Sequence, residues 1–268
     1  MREKRFNFGK NWKRFLKNLS EEQIESAKNK LYNWLGDISG KSFLDIGCGS
    51  GLHSLAARML GATVYSFDYD EESVECAKFL KDKYFPNDNN WIIEKGDVLD
   101  IEYLKSLGKF DIVYSWGVLH HTGDMWKALE NVNILVKNKG YLYISIYNYQ
   151  VYWTKYWTFV KKTYNSYKIA KYFWIVIYFL FNTIKGGVKD IILLKNPLSR
   201  YNDYKKDRGM SIFIDLLDWL GGYPFETAKP EEIFEFYYKK GFRLEKLWTA
   251  GGGLACNEYL FRKIKCVE

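Results

Sequence analysis

The stretch Phe43-Leu-Asp-Ile-Gly-Cys-Gly-Ser-Gly-Leu-His-Ser-Leu-Ala-Ala57 decides the fold of this chain. Its apolar start predicts a short buried strand, and residues 52–60 predict a helix. Between them stand Gly47, Gly49 and Gly51, and glycines tolerate positive φ and let another molecule approach the backbone closely. A strand, a glycine-rich loop and a helix in this order present free backbone N–H groups at the carboxyl edge of a sheet. The stretch therefore predicts a binding loop of the nucleotide type.

The glycine spacing and the acid ahead of it distinguish this loop from a dinucleotide-binding one. The dinucleotide fingerprint is Gly-x-Gly-x-x-Gly, whereas this chain has Gly-x-Gly-x-Gly with Asp45 just before it. A carboxylate there is a poor neighbour for a pyrophosphate and a good partner for an ammonium group. The motif resembles the first motif of class I S-adenosylmethionine-dependent methyltransferases; a plain glycine-rich turn is the alternative. The resemblance implies S-adenosyl-L-methionine as the cofactor, held by Asp45, Gly47, Gly49 and Gly51.

Two further acids follow predicted strands downstream of the glycine loop. Asp68 ends the strand predicted for residues 63–67, where a Rossmann-type fold holds a ribose hydroxyl pair about 20 residues after the glycines. One carboxylate accepts hydrogen bonds from both vicinal hydroxyls. Asp97 follows the strand predicted for residues 91–94, and the resemblance implies that an Asp there contacts the adenine amino group. The predicted cofactor-binding set also includes Tyr69, Val98 and Trp116.

The segment after the fourth predicted strand, residues 110–115, carries two of the chain's three histidines. Val118-Leu-His-His-Thr122 resembles the corresponding segment of quinone-biosynthesis methyltransferases and their small-molecule relatives. Methyl transfer to a hydroxyl requires an aligned, desolvated acceptor and removal of its proton. We therefore predict His121 as the general base and His120 as the second candidate; alternatively, the imidazole only orients the cofactor or a loop. A helix is expected at residues 122–136, and a fifth strand at residues 141–147.

The composition of the 268-residue chain is typical of one domain with an elaboration. Apolar residues make up 47% of it, which is ample for a packed core and excludes global disorder. The cysteines have no paired spacing, which argues against a disulfide framework and a zinc ribbon and is compatible with a reducing cytoplasm. We expect no metal site, no secretory signal after Met1-Arg-Glu-Lys-Arg5, and a cytoplasmic protein. The cysteines are Cys48, Cys76, Cys256 and Cys266.

Residues 150–229 depart from the resemblance and predict an aromatic, basic and mainly helical cap. Residues 151–210 contain twelve Lys or Arg and three Asp or Glu, which gives this segment a charge of +9. The whole chain has a net charge of +8, so the other residues together carry −1. Residues 172–181 are all apolar or aromatic, which is too short for a bilayer span of about 20 residues. We expect them to form a buried helix over the active site. A membrane-surface contact and single-stranded nucleic acid are the alternatives.

The stretch Asp218-Trp-Leu-Gly-Gly-Tyr-Pro-Phe-Glu226 predicts an irregular loop, because it contains too many glycines and large aromatic residues for regular structure. Its two acids lie beside Trp219 and Tyr223, where burial is costly unless each acid is paired. Arg200, Arg208 or donors on a ligand are the expected partners; a purely structural loop is the alternative. The predicted substrate-binding set is Tyr147, Asn148, Arg200, Arg208, Trp219, Tyr223 and Glu226.

The two ends of the chain complete the predicted architecture. Residues 6–12 form an aromatic arm that is either a lid with Asn11 and Trp12 over a ligand or a helix packed across the sheet edge. A helix at residues 230–240 precedes two strands, residues 242–249 and 255–263, whose short connection predicts a hairpin. The expected fold is α/β, with a Rossmann-like seven-stranded sheet, mostly parallel with an antiparallel last strand, and helices on both faces. The predicted domains are residues 1–149, 150–229 and 230–268.

The methyl acceptor is the least determined part of the prediction. Enzymes that methylate exocyclic amines of nucleic acids usually carry Asn/Asp-Pro-Pro-aromatic after strand four, whereas this chain has Ser115-Trp-Gly-Val118. We therefore expect a small acceptor, and the basic cap favours an anionic one. An oxygen of a phosphorylated or nucleotide-linked surface-glycan precursor fits, and a quinone, phenol or lipid-like acceptor is the alternative. A non-catalytic S-adenosylmethionine-binding module is the alternative of another class, and the oligomeric state stays open.

Overall fold

The computed structural model describes residues 6, 8–193, 196 and 212–264 of the chain. Their strands are β1 (Ser42–Ile46), β2 (Thr63–Asp68), β3 (Trp91–Lys95), β4 (Phe110–Trp116), β5 (Val136–Tyr147), β6 (Phe242–Trp248) and β7 (Cys256–Lys263). They form one sheet in the order β3-β2-β1-β4-β5-β7-β6. Neighbours from β3 to β5 are parallel, whereas β7 is antiparallel to both β5 and β6. The predicted seven-stranded sheet with an antiparallel last strand is confirmed.

Helices connect the strands and cover the sheet. They are α1 (Gly9–Leu16), α2 (Glu21–Leu35), α3 (Leu52–Met59), α4 (Glu71–Tyr84), α5 (Ile101–Leu107), α6 (Met125–Asn133), α7 (Val151–Ser166), α8 (Lys168–Ile192), α9 (Ile212–Gly221) and α10 (Pro230–Lys239). A 3-10 turn, Leu119–His121, follows β4. The order of these elements is that of a parallel α/β fold, in which each strand is followed by a helix that packs back onto the sheet.

The two faces of the sheet bury separate apolar cores. On β5, Leu142 and Ile144 lie in one core with side chains of α6 and α10, whereas Tyr143 lies in the other with side chains of α2 and α3. Successive side chains of a strand point to opposite faces, so one strand contributes to both cores. Burial on both faces explains why the central strands are almost continuously apolar.

One predicted boundary is wrong. The helix expected at residues 122–136 ends at Asn133, and β5 begins at Val136 instead of residue 141. The reason is tertiary, because Val136 pairs with Phe110 of β4 and the Phe110 N–H donates to the Leu135 carbonyl at 2.7 Å. This pairing competes with continuation of the helix. The helix begins at Met125, where the carboxylate of Asp124 caps it by accepting the Lys127 N–H at 3.2 Å.

In the described residues between β5 and α10, the helices α7, α8 and α9 form the cap. Their common core contains Trp157, Val160 and Tyr164 of α7 together with Leu216 and Leu220 of α9. The stretch 218–226 is therefore only partly irregular, which corrects the prediction: α9 continues through Gly221. The correction follows from packing, because Leu216 and Leu220 lie one turn apart on the face of α9 that meets α7.

The expectation that residues 172–181 are buried is also wrong. Within α8, Trp174, Ile175 and Tyr178 pack against the cap core, whereas Phe173, Leu180 and Phe181 are more than half exposed. A single helix packed on one side of a cap buries only one stripe of its surface. Along the part of the chain that the structure describes, no helix has the length and apolarity that crossing a membrane would require.

The substitution Gly51→Ala tests how tightly the glycine loop packs against α4. Gly51 has φ 81° and ψ 5° before α3. A Cβ atom there would lie 2.7 Å from the Cα atom of Ala77, whose side chain is fully buried. Strain from the left-handed backbone and overpacking together should lower the free energy of unfolding by about 3 kcal/mol, measured by urea denaturation.

Gly251→Ala is the matched control. Gly251 also has positive φ, at 56°, but no atom lies within 4 Å of the added methyl group. Only backbone strain remains, so the expected loss is about 1 kcal/mol. Equal losses in both variants would show that contact with Ala77 contributes nothing.

Candidate active site

A cavity of about 260 Å³ lies at the carboxyl ends of β1, β2 and β4. The sheet order reverses between β1 and β4, and ligands of open α/β sheets bind in the crevice at such a point. The loops after these three strands form its floor, and the N-terminal arm and Tyr223 of the cap cover it. The lining residues are Phe6, Phe8, Trp12, Phe15, Asp45, Gly47, Cys48, Gly49, Ser50, Leu52, His53, Asp68, Tyr69, Asp70, Ser73, Tyr114, Trp116, Gly117, Val118, His121 and Tyr223.

Asp68, at the end of β2, is held by the glycine loop. Its Oδ2 accepts the Gly49 N–H and its Oδ1 accepts the Asp70 N–H, both at 2.9 Å. Burial raises the pKa of Asp68 to about 6, although the backbone hydrogen bonds from Asp70 and Gly49 lower it. Each carboxylate oxygen has a second lone pair, so Asp68 can still accept hydrogen bonds from a ligand.

Asp45, at the end of β1, is the more deeply buried acid of the cavity. Its Oδ2 accepts the Ser54 hydroxyl at 2.5 Å, and the hydroxyls of Ser54 and Ser66 lie 2.8 Å apart. The indole N–H of Trp91 donates to the Ser66 hydroxyl at 3.0 Å and ends this chain of hydrogen bonds. Burial raises the pKa of Asp45 to about 7; the Ser54 hydrogen bond lowers it and the charge of Asp68 raises it. Asp45 and Asp68 are thus two buried, poorly solvated carboxyl groups, and a cation bound beside them would stabilise their charged forms.

His121 lies on the cavity wall in a defined tautomer. Its Nδ1 is 2.7 Å from the Pro224 carbonyl oxygen, which can only accept, so Nδ1 carries the proton and Nε2 is an acceptor. Burial lowers the pKa of His121 to about 3; the charge of Lys161 lowers it further and the Pro224 hydrogen bond raises it. The Phe8 ring lies 5.5 Å from the imidazole. His121 is therefore a neutral hydrogen-bond acceptor at physiological pH.

His120 lies behind His121, outside the cavity lining. It is fully buried, its Nδ1 accepts the Tyr147 N–H at 3.4 Å, and its ring centroid is 4.2 Å from that of Tyr147. Burial lowers the pKa of His120 well below its usual value. Of the two predicted histidines, the structure therefore brings only His121 to the cavity.

Sequence reasoning missed Lys161, a fully buried lysine of α7. Its Nζ donates to the Trp219 carbonyl and lies 4.2 Å from the centroid of the Trp219 ring. Burial lowers the pKa of Lys161 to about 7, and the charge of Asp218 raises it. The signal was its position beside Trp157 and Tyr164 on the apolar face of the helix, where a lysine is unusual.

Within the described residues, Asp218 is paired with Asn11 of the N-terminal arm. The Asn11 amide donates to its carboxylate, and burial raises the pKa of Asp218 to about 7, against the Asn11 hydrogen bond. Asn11 thus joins the N-terminal arm to the cap and does not line the cavity. The expected partners Arg200 and Arg208 lie outside the described residues.

Trp12, Tyr69, Trp116 and Tyr223 line the cavity as the prediction requires. Trp12 covers the glycine loop closely, because a Cβ atom on Gly49 would lie 3.0 Å from its Nε1. Gly51, Asp97 and Val98 lie outside the lining: Gly51 packs on α4, Asp97 accepts the Leu99 N–H at 3.0 Å, and Val98 is buried in the core. These three residues therefore contact neighbouring parts of the protein and not the cavity.

Of the predicted substrate residues that the structure describes, those other than Tyr223 support the cap and the loops. Asn148 donates its amide N–H groups to the carbonyls of Gly251 and Gly253, at 2.8 and 3.2 Å. Both oxygens of Glu226 accept the Met125 N–H, at 3.1 and 3.2 Å. Tyr147 and Trp219 pack against the cap core. Phe6 and Phe8 belong to the predicted aromatic arm, whereas the lining residues Phe15 and Tyr114 were not indicated by the sequence and carry no motif beyond being aromatic.

Comparison with known proteins gives a family match. A family model described as a methyltransferase domain matches residues 37–199. The ubiquinone biosynthesis O-methyltransferase of Coxiella burnetii is 34% identical over 112 residues, which are 41% of this chain and 45% of that protein. The enzyme of the same name from Pelagibacter ubique is 32% identical over 105 residues, 39% of this chain and 41% of that protein. The match spans less than half the length of either relative.

Two solved structures share the architecture. The magnesium protoporphyrin IX methyltransferase of Synechocystis PCC 6803 with bound SAH is 17% identical, with a TM-score of 0.53 over 90% of this chain and 82% of that one. The 1,6-didemethyltoxoflavin-N1-methyltransferase of Burkholderia thailandensis is 13% identical, with a TM-score of 0.52 over 92% and 80%. At such identities the likeness establishes the fold alone.

Nitrogen-15 NMR of the imidazole groups tests the tautomer of His121. We expect a protonated Nδ1 and an unprotonated Nε2 from pH 8 down to pH 5, whereas an ordinary histidine titrates near 6.5. The variant Lys161→Met removes the neighbouring charge, so the pKa of His121 should rise. His53→Gln and His120→Gln assign the signals. A His121 ring that charges at pH 6 in the wild-type protein would contradict the burial and the tautomer.

The same pKa predicts an effect on stability. The pKa of His121 is lower in the folded than in the unfolded chain, so its contribution is present above pH 6.5 and is lost as pH falls. Between pH 8 and pH 5 this group should reduce the free energy of unfolding by about 2 kcal/mol. In His121→Gln that part of the acid destabilisation should be absent, measured by urea denaturation at both pH values.

Proposed function

The chain belongs to the methyltransferase-domain family, and from this premise we propose that it transfers a methyl group from S-adenosyl-L-methionine to a small-molecule acceptor. The observation that carries the proposal is the convergence of Asp45 and Asp68 with the glycine loop, opposite a neutral His121, around one cavity. Binding of a cofactor without a reaction would already explain the presence of Asp45 and Asp68. A hydrogen-bond acceptor in the same cavity adds what a transfer reaction to a hydroxyl needs.

The residues present fit the proposed cofactor. Asp45 is a buried carboxylate whose raised pKa a cationic ammonium group would lower, and Asp68 offers two oxygens to a pair of ribose hydroxyls. Trp12, Tyr69 and Trp116 supply aromatic surfaces for a purine ring and a cation. When bound, S-adenosyl-L-methionine supplies a methyl group on a positively charged sulfur. Asp97 and Val98 remain a hypothesis for the adenine end, since both lie outside the cavity lining.

His121 is proposed to hold and deprotonate the acceptor hydroxyl. The hydrogen bond from Nδ1–H to Pro224 fixes the ring and leaves Nε2 to accept the hydroxyl proton. With its pKa lowered to about 3, the imidazole is a weak base at equilibrium, so proton transfer accompanies methyl transfer. Lys161 keeps the ring neutral through its charge. His120 lies outside the cavity lining, and we propose that it positions Tyr147 and the 3-10 turn Leu119–His121.

The cavity walls favour an aromatic acceptor. Phe6, Phe8, Phe15 and Tyr223 line the same cavity as His121, and no lysine or arginine occurs among the lining residues in the described ranges. We propose a phenolic or quinol-like hydroxyl as the acceptor, in agreement with the names of the curated relatives. The anionic acceptor favoured by the sequence is the second candidate. It is supported by the +9 charge of residues 151–210, which include Arg200 and Arg208.

Release of S-adenosylhomocysteine in the presence of candidate acceptors tests the function. We expect turnover with catechols and other phenols that is insensitive to ionic strength, and His121→Gln should lower kcat by about 10²–10⁴-fold with little change in cofactor affinity. Turnover only with phosphorylated acceptors, reduced by salt, would favour the second candidate. Binding of the cofactor without release on any acceptor would make the chain a non-catalytic binding module. An unchanged kcat in His121→Gln across pH would remove His121 from the mechanism.

The pH dependence of S-adenosylhomocysteine binding tests Asp45. In the free protein Asp45 has a raised pKa of about 7, and an ammonium group binds only its charged form. The dissociation constant should therefore increase by about fivefold between pH 7 and pH 6 and change little above pH 8. Isothermal titration calorimetry at several pH values measures it.

Asp45→Asn removes the titration. At pH 8 this variant should bind at least about tenfold more weakly than the wild-type protein, since a hydrogen bond to a charged group is lost, and its affinity should not vary with pH. Asp82→Asn on the exposed side of α4 is the control and should leave both affinity and pH profile unchanged. A flat profile in the wild-type protein would mean that Asp45 does not contact the ligand's cation.

A further inference from the structure

The side of α8 that faces away from the cap is an uninterrupted apolar stripe. Its members recur at helical spacing of three or four residues, so they share one face of the helix. Each of them is between 52% and 86% exposed. Over the 25 residues of α8 the stripe extends about 37 Å at 1.5 Å per residue. We call this stripe the outer face of α8; it consists of Ile169, Phe173, Val176, Leu180, Ile184, Val188 and Ile191.

The charged residues of α8 all lie off the outer face. At 100° per residue, its lysines fall on the opposite half of the helix, and its one acid, Asp190, is buried. Residues 151–193 contain seven lysines and this single acid, a net charge of +6. One of the seven, Lys161, is inside the cap. The lysines of α8 are Lys168, Lys171, Lys185 and Lys189.

Aromatic side chains of α7 are also exposed. Tyr152 is 84% exposed, Trp153 56% and Phe159 60%. α7 and α8 pack on each other through Trp157 and Tyr178, whose rings lie 4.9 Å apart. Tyrosine and tryptophan combine an apolar body with a polar tip, which suits the boundary between hydrocarbon and water. Exposed apolar surface on this scale marks an interaction site in a protein that is otherwise well packed.

We propose that the outer face of α8 docks on an anionic lipid surface. A helix with one continuous apolar face and lysines on the other half lies in the plane of such a surface, with its apolar face in the headgroup and acyl boundary. The lysines add attraction to anionic headgroups, by about 1 kcal/mol for each lysine near the surface. The proposal rests on exposure and charge and is independent of the proposed reaction.

Charge and polarity favour a lipid surface over a second copy of the chain. Two copies that met through α8 would bring two segments of net charge +6 together, which is unfavourable. A protein interface is also usually rimmed by polar groups that form about one hydrogen bond per 100–200 Å². The outer face has no polar side chain along its length. A lipid surface requires none.

Co-sedimentation with vesicles tests the proposal on the full chain. Vesicles of phosphatidylglycerol and phosphatidylcholine in equal parts should bind the wild-type protein, with binding that weakens as salt is raised. Vesicles of phosphatidylcholine alone should bind it much less. The double variant Leu180→Asp with Ile184→Asp places two charges on the outer face and should lower the partition coefficient for the mixed vesicles by at least about tenfold.

Phe79→Asp is the matched control. Phe79 is 57% exposed on α4, so the change adds a charge at an equally exposed aromatic position away from the cap. It should leave vesicle binding unchanged, and circular dichroism should show that all variants are folded. Absence of binding by the wild-type protein, equal binding to both kinds of vesicle, or equal loss in Phe79→Asp would overturn the proposal. A dimer in light scattering that the double variant dissociates would assign the outer face to a second copy instead.

Discussion

The attachment of the glycine loop to the end of β2 is the constraint on which the rest of the site depends. The N–H groups of Gly47 and Cys48 both donate to the Phe67 carbonyl, at 2.8 and 3.1 Å, and the Gly49 N–H donates to Asp68. These bonds hold the loop after β1 against the neighbouring strand and bring Asp68 close to Asp45. Burial and the charge of Asp68 both raise the pKa of Asp45, so the fold itself creates a site that a cation completes.

The N-terminal arm connects this site to the cap. The Gly9 N–H donates to Asp70 at 2.9 Å, and the same carboxylate accepts the Glu72 N–H at the start of α4. On the other side, the Phe6 N–H donates to the Tyr223 carbonyl at 3.0 Å, and Asn11 donates to Asp218. The arm is therefore bonded to both the core and the cap. Of the two interpretations of the arm, the lid describes its position, since Trp12 lies over the loop.

The sequence predicted those features that are encoded locally. The glycine loop, Asp45, Asp68 and the terminal hairpin follow from spacing and periodicity, which do not depend on distant parts of the chain. The predictions that were wrong depend on tertiary packing. The composition of residues 172–181 shows that their helix is apolar, but it does not show which face of the helix other elements cover. Likewise, only the folded chain shows that Asn148 turns to a loop carbonyl and that Lys161 lies inside the cap.

The distribution of charge separates the interior of the site from the outside of the cap. Acids line the cavity, while the exposed lysines of α7 and α8 lie on the cap's surface. Within the described part of the cap, the lysine that reaches the interior is Lys161, which lies against Trp219 and acts on His121 through its charge. The other described lysines of the cap are exposed and outside the cavity lining, so they add no positive charge to its wall. An aromatic cavity beside an apolar outer surface suits an acceptor that partitions between water and lipid, since both places favour the same weakly polar chemistry.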